Sequence, residues 1–255
     1  TLQLNQSIQG YYYETVKFER GIRPDYHIPQ NLNSKIEILM DNLRVKQYNN
    51  GDDILFAPSD SEWRNAAENQ IGAWCYVNND PSTEEEHGLL YNDYVISDSR
   101  GIAPDGWRVT TSNDWEAIMA YMSAMFQNYT RYHVHENYAC GTPEINVHYT
   151  YDLRAQPYNN NLINLKNSGY RIYSNANPTG THYYWGFHNC SGNSGGFNRF
   201  WTSTFYNGGT ILGDNTAGDI VYYDFRFLRS QEDYSPKAER INRGNGLSIR
   251  LSRDY

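Results

Sequence analysis

Three short stretches of this 255-residue chain carry residue types and spacings able to do chemistry. Gly192-Asn-Ser-Gly-Gly196 sets a serine in a Gly-rich turn, where a hydroxyl can stand beside backbone N–H donors as an acyl-transfer nucleophile does. Such a serine needs a histidine base and an orienting carboxylate. No His and Asp stand in a recognisable partner motif, so the stretch reads as a flexible loop. His133-Val-His135 places two imidazoles on one face of a strand, half of a zinc site. His148, His182 and His188 lack diagnostic spacing for the remaining ligands, so ordinary histidines and no metal are expected. Glu84-Glu-Glu86 reads as a solvated loop, because the spatial separation that defines a glycosidase carboxylate pair is not visible in sequence. The chain is expected to be no enzyme and to hold no cofactor.

Three cysteines leave an odd count. Cys140 and Cys190 lie in loop-like surroundings and form the candidate disulfide, although spacing alone does not establish bridge geometry. Cys75 follows Trp74 in an apolar run, where a thiol packs as a small hydrophobe.

Local patterns place the supporting elements. Ser59-Asp-Ser-Glu62 has capping-box spacing and leads into a short helix over Trp63 to Gln70. Thr111-Ser-Asn-Asp114 caps a second helix, whose Trp115, Ile118, Met119, Met122 and Phe126 recur at helical spacing. Strand patterns occupy Tyr11 to Phe18 and Lys35 to Met40, with a turn at Asn49-Asn50-Gly51. Beyond residue 130 strand and loop signals take over. In Asp219 to Leu228, Val221, Tyr223, Phe225 and Phe227 alternate with Tyr222, Asp224 and Arg226, which predicts one core face and one wet face. A polar loop over Arg229 to Arg243 follows. Gly246 to Arg253 then reads as a final strand with Leu247, Ile249 and Leu251 inward, so that the chain ends on a strand pair. The fold class is α+β, with two short helices and a β-rich, loop-heavy second half. Residues 1–34 are expected as an N-terminal arm or attachment strand, and 35–255 as the domain.

Composition bounds the function. A net charge of -8 without a dense basic run excludes nucleic acid as the main partner. No stretch approaches the ~18–20 apolar residues of a membrane helix, so no membrane insertion is expected, and Thr1 to Gly10 is too polar for a signal peptide. The 24 Tyr, 6 Trp and 20 Gly, with only 20% charged residues, suit an extracellular, Tyr-rich binding surface.

Several blocks in order carry a family resemblance. Asn42-Leu-Arg44, Tyr48-Asn-Asn-Gly51, Ala73-Trp-Cys-Tyr76 with Asn78-Asn-Asp80, and Gly88-Leu-Leu-Tyr91-Asn92 lead into Arg100-Gly-Ile-Ala-Pro-Asp-Gly-Trp107-Arg-Val and Asn113-Asp-Trp115. Gly169-Tyr-Arg171, Phe200-Trp-Thr-Ser-Thr204 and Asn245-Gly-Leu-Ser-Ile-Arg250 complete the set. Over residues 35 to 255 the chain resembles the Fibrobacter succinogenes major paralogous domain family. The resemblance implies a C-type-lectin-like fold, shared with formylglycine-generating enzymes and with the variable proteins of diversity-generating retroelements. Leu251 stands where the family commonly has a Cys, and a long insert at 128–167 departs from its usual middle. No cysteine follows Cys190, which removes the thiolates a formylglycine-generating copper site needs. Calcium-dependent sugar binding lacks its Glu-Pro-Asn, Gln-Pro-Asp and Trp-Asn-Asp triplets.

What the resemblance implies for function is a surface binder of adhesin or phage receptor-binding type, with a binding face on the C-terminal strand and loops. The expected contact residues are Phe205, Tyr206, Asn207, Tyr222, Asp224, Arg226, Ser230, Gln231, Asp233 and Tyr234. The partner would be a protein or glycan receptor, and the location extracellular, on a bacterial surface or a virion. The alternative is a structural fibre or pilus module docked through residues 1–34. Trp74, Trp107, Trp115 and Trp201 are expected in the core. Trp185, among Tyr183, Tyr184 and Phe187, reads either as a second core or as a glycan platform.

Overall fold

A computed structural model describes residues 4–19, 35–115, 117–118, 131–137, 144–150, 168–173, 186–187, 196–206, 219–227 and 237–255. In chain order the first strands are β1 (Leu4–Ile8), β2 (Tyr11–Glu19), β3 (Lys35–Leu39) and β4 (Leu55–Phe56). Helix α1 (Asp60–Glu68), β5 (Ala73–Tyr76), the single-turn α2 (Glu84–His87), β6 (Leu89–Tyr91) and β7 (Arg108–Val109) follow. A helical turn at 112–115 continues at 117–118. The later strands are β8 (Arg131–Asn137), β9 (Glu144–Thr150), β10 (Arg171–Ile172), β11 (Gly186–Phe187), β12 (Gly196–Tyr206), β13 (Asp219–Phe227), β14 (Lys237–Ile241) and β15 (Leu251–Asp254). Strands and short helices together make an α+β fold.

Both helix starts follow from local chemistry. Ser59 Oγ accepts from the Glu62 amide while the Glu62 carboxylate accepts from the Ser59 amide, so two otherwise unpaired donors are satisfied at once. The same reciprocity joins Thr111 and Asp114 at the second helix. On α1, Trp63, Ala66 and Ala67 turn inward, and the Trp63 indole donates to the Gly244 carbonyl at 2.8 Å. Glu84 to Glu86, expected as loop, forms the first turn of α2, where carboxylates complement the unpaired amides of a helix start.

The central sheet has the order β1-β2-β3-β15-β7, antiparallel throughout. Residues 4–19, within the segment expected as an arm or attachment strand, are therefore paired into the sheet of the domain. Ile8 and Tyr13 share one hydrophobic cluster with Leu39, Trp74, Tyr91, Trp107, Trp201, Leu247, Ile249 and Leu251. Pairing leaves β1 and β2 no independent core to form, and burial of Val16 and Phe18 supplies the driving force.

One expectation about the end of the chain requires correction. The terminal strand does not pair with Asp219 to Leu228: β15 lies between β3 and β7, while β13 is the middle strand of a separate sheet, β12-β13-β14. β14 occupies part of the expected polar loop. Nor does the polar side of the last segment meet water, since Ser248, Arg250 and Ser252 are as fully buried as Leu247, Ile249 and Leu251. Arg250 donates to Asn42 Oδ1 at 3.0 Å and to the Leu39 carbonyl at 3.3 Å, and Ser252 donates to Asp114 Oδ2 at 3.0 Å. A segment covered on both sides can keep polar residues on one of them when each finds a partner.

Candidate functional site

The expected binding strand hangs on a rigid root. In β12, the Trp201 amide donates to the Ser248 carbonyl at 3.0 Å, and the Ser248 amide returns a bond to the Arg199 carbonyl at 3.1 Å. The Trp201 indole donates to the Tyr91 carbonyl at 2.7 Å. Phe200 packs on Trp115 with ring centroids 4.9 Å apart, beneath the Arg250 guanidinium at 5.2 Å. Arg199 stacks over Tyr170 at 3.9 Å. Ser203 Oγ donates to the Val109 carbonyl, and Thr204 Oγ1 accepts from the Ser112 amide. Residues 199–201, 203 and 204 are thus tied to the rest of the domain.

Pairing transmits that anchorage to β13. Its register sets Tyr222 opposite Trp201, Asp224 opposite Arg199 and Arg226 opposite Phe197, and a register shift separates these from Phe205 opposite Ile220 and Tyr206 opposite Asp219. On the other side Tyr222 stands opposite Glu239 and Asp224 opposite Lys237 in β14. The structure therefore brings Tyr222, Asp224 and Arg226 onto one central strand at alternate positions. Opposite residues of an antiparallel pair share a sheet face, so this is the face of Arg199 and Trp201. Asn207, Ser230, Gln231, Asp233 and Tyr234 lie outside the described residues, as do Cys140, Cys190, His182, His188 and Trp185.

A second surface, missed in the sequence, is built from aromatic and charged side chains. Leu55 and Phe56 on β4 are both about two-fifths exposed, and Phe56 tilts over Trp74 at 4.5 Å and meets the edge of Tyr76 at 5.6 Å. The Lys46 ammonium lies 5.1 Å from the Trp74 ring centre and 5.3 Å from that of Tyr76, and pairs with Glu84 at 2.9 Å. Burial pushes the Lys46 pKa down, but the hydrogen bond and charge of Glu84 outweigh it and hold it above its ordinary value. Arg44 extends the row over Tyr11 at 5.4 Å and Tyr13 at 5.1 Å. Residues from five separated segments meet here, so no short motif announces the surface.

The remaining strongly placed charges support the scaffold. Burial raises the Asp114 pKa, but the two-pronged Arg108 guanidinium and the Thr111 amide outweigh it and hold the carboxylate low. Glu37 is likewise held low, burial being outweighed by Arg253, Thr15 and Lys17. Arg171 is buried, stacks on Trp63 and donates to Ala57, Pro58 and Asp60. The Cys75 thiol is buried and free, with burial pushing its pKa up to about 11. Among the residues whose side chains are described, no three His, Cys, Asp or Glu are placed to hold a metal ion.

These features define an α+β domain whose aromatic core and buried arginines fix a strand-rich C-terminal part. The chain belongs to the family described as the Fibrobacter succinogenes major domain, whose model matches residues 39–253. Comparison with curated proteins and with solved structures finds no match.

Proposed function

We propose that this chain is a ligand-binding surface protein of adhesin or phage receptor-binding type, built on a C-type-lectin-like scaffold and acting outside the cell. The observation that carries the reading is the double anchorage of β12: Trp201 is wholly buried and bonded to Tyr91 and Ser248, and β13 pairs directly with that strand. A recognition strand held this way keeps little conformational freedom to lose on binding, which favours affinity. Tyr222 and Arg226 belong to the residue types that dominate binding hot spots, and Asp224 adds a charge for specificity. The receptor class in this reading is a protein or glycan.

The test is a receptor array, of glycans and of bacterial surface proteins, probed with the wild-type chain and with Tyr222→Ala/Asp224→Ala/Arg226→Ala. The reading expects a hit that the triple variant loses while its melting temperature stays within a few degrees. An array that remains empty, or a triple variant that unfolds, refutes the assignment of this face.

A further inference from the structure

The aromatic surface on β4 and β5 uses none of the residues of the binding face proposed above. Phe56 is its open ring: it is 42% exposed, as is Leu55 beside it, whereas Trp74 is 6% exposed. Parallel pairing sets Phe56 opposite Trp74, and the Trp74 indole donates to the Ile54 carbonyl at 3.1 Å. The Phe56 ring is held there by its tilted contact with Trp74 at 4.5 Å and its T-shaped contact with Tyr76 at 5.6 Å. Tyr76 joins this apolar side to a polar one. Its hydroxyl accepts from the Lys46 ammonium at 3.4 Å, and the same ammonium pairs with the Glu84 carboxylate at 2.9 Å. The Lys46 and Glu84 side chains keep 31% and 22% exposure, so both still reach solvent. An open ring, a charged donor and a charged acceptor of opposite sign thus lie side by side.

From this juxtaposition we infer that the surface is a second binding site, for a neutral glycan, with one sugar ring laid on Phe56 and its hydroxyls on Lys46 and Glu84. Each part selects that class. The face of an aromatic ring is electron-rich and attracts the C–H groups of a sugar, which their neighbouring oxygens make electropositive. A hydroxyl both accepts and donates, so sugar hydroxyls can satisfy the ammonium and the carboxylate together. An anionic ligand would instead meet Glu84 as a like charge. The size of the open patch excludes a protein as its occupant. Two-fifths of the ~150–250 Å² that an aromatic side chain can bury is at most ~100 Å², so Phe56 and Leu55 together offer less than ~200 Å². A standard protein interface covers about 800 Å² on each partner. With the ring and the polar pair already in place, little freedom is lost when a sugar docks.

Calorimetry on the full chain tests this with neutral hexasaccharides of glucose, xylose, mannose and galactose as probes, and with hexagalacturonate and trileucine for comparison. The wild type is expected to bind at least one neutral probe with a Kd of ~1 mM or tighter. Phe56→Ala and Phe56→Leu should weaken that binding ~10-fold or more, and Phe56→Tyr should keep it. Phe56→Leu retains apolar bulk, so its loss reports the ring face itself. Lys46→Met keeps an aliphatic stem over the rings but removes the donor, and should also weaken binding. Thermal melting checks that each variant folds. Tyr222→Ala/Asp224→Ala/Arg226→Ala should bind the probe as the wild type does, so failure here and failure of the face proposed above are read separately. The inference is overturned by a wild type that binds no neutral probe, or by undiminished binding in Phe56→Leu or Lys46→Met. Loss of binding in a folded triple variant overturns it too, as does tighter binding of hexagalacturonate or of trileucine, the last assigning the patch to a protein partner.

Discussion

Asp93 offers the sharpest test of the scaffold. Its side chain is fully buried, Oδ2 accepts from the Arg243 guanidinium, and Oδ1 has no hydrogen-bond partner. Burial pushes this carboxyl up to about 6 from an ordinary 3.8, the pull of Arg243 notwithstanding. A buried ion pair can cost more in lost hydration than it returns in attraction, and the unpaired oxygen adds to that cost. The folded state therefore binds the Asp93 proton more tightly than the unfolded chain does. Its contribution to stability is complete below the unfolded value and is lost as the pH rises through about 6.

Replacing Asp93 by Asn keeps the shape and an acceptor for Arg243 but removes the titration. With ~1.4 kcal/mol for each pKa unit, the wild type should lose roughly 2–3 kcal/mol relative to Asp93→Asn between pH 4 and pH 7. Urea denaturation at several pH values reads this directly. With a slope of about 2–3 kcal/mol per molar, the two midpoints should move relative to each other by roughly 1 M. Histidines also titrate in this window, but they are common to both proteins and cancel in the difference. The constant offset between the proteins reports Arg243 and is not needed. If the wild type instead gains on Asp93→Asn as the pH rises, the pair behaves as an ordinary stabilising salt bridge and the reasoning fails.

Other perturbations follow from single contacts. Ser59→Ala removes the capping box of α1 and should cost about 1 kcal/mol in chemical denaturation, with α1 otherwise intact. Arg250→Ala leaves Asn42 Oδ1 without that donor and opens a cavity over Phe200, for a loss of about 3–5 kcal/mol, whereas Arg250→Met should cost clearly less; equal losses would contradict the burial argument. The Cys75 peptide should stay unmodified when native protein meets iodoacetamide at pH 8 and react fully after unfolding, as peptide mass spectrometry would show.

What could be read in the sequence was whatever neighbours along the chain decide. Ser59 with Glu62 and Thr111 with Asp114 are three residues apart, and each pair caps its helix as the spacing predicts. Trp74, Trp107, Trp115 and Trp201 are buried, as expected of large aromatics in shared blocks. An aromatic, strand-like run likewise marked β2, but its partner could not be read, because Phe18 opposite Ile36 is a relation between segments. The same holds for the Lys46, Trp74, Tyr76 and Glu84 surface, whose members meet only after folding.

Ser248, Arg250 and Ser252 show where alternation misleads. It divides a strand into an apolar and a polar side, but it does not say that the polar side meets water. There the polar side found Asn42, Leu39 and Asp114 instead. That lesson bears on Tyr222, Asp224 and Arg226, also assigned to a wet face by alternation alone. Their register aligns them with Arg199 and Trp201, and Trp201 is core. Binding and melting must therefore be measured on the same triple variant. Lost binding with unchanged stability places the three residues on a recognition face, and lost stability places them in the core beside Arg199 and Trp201.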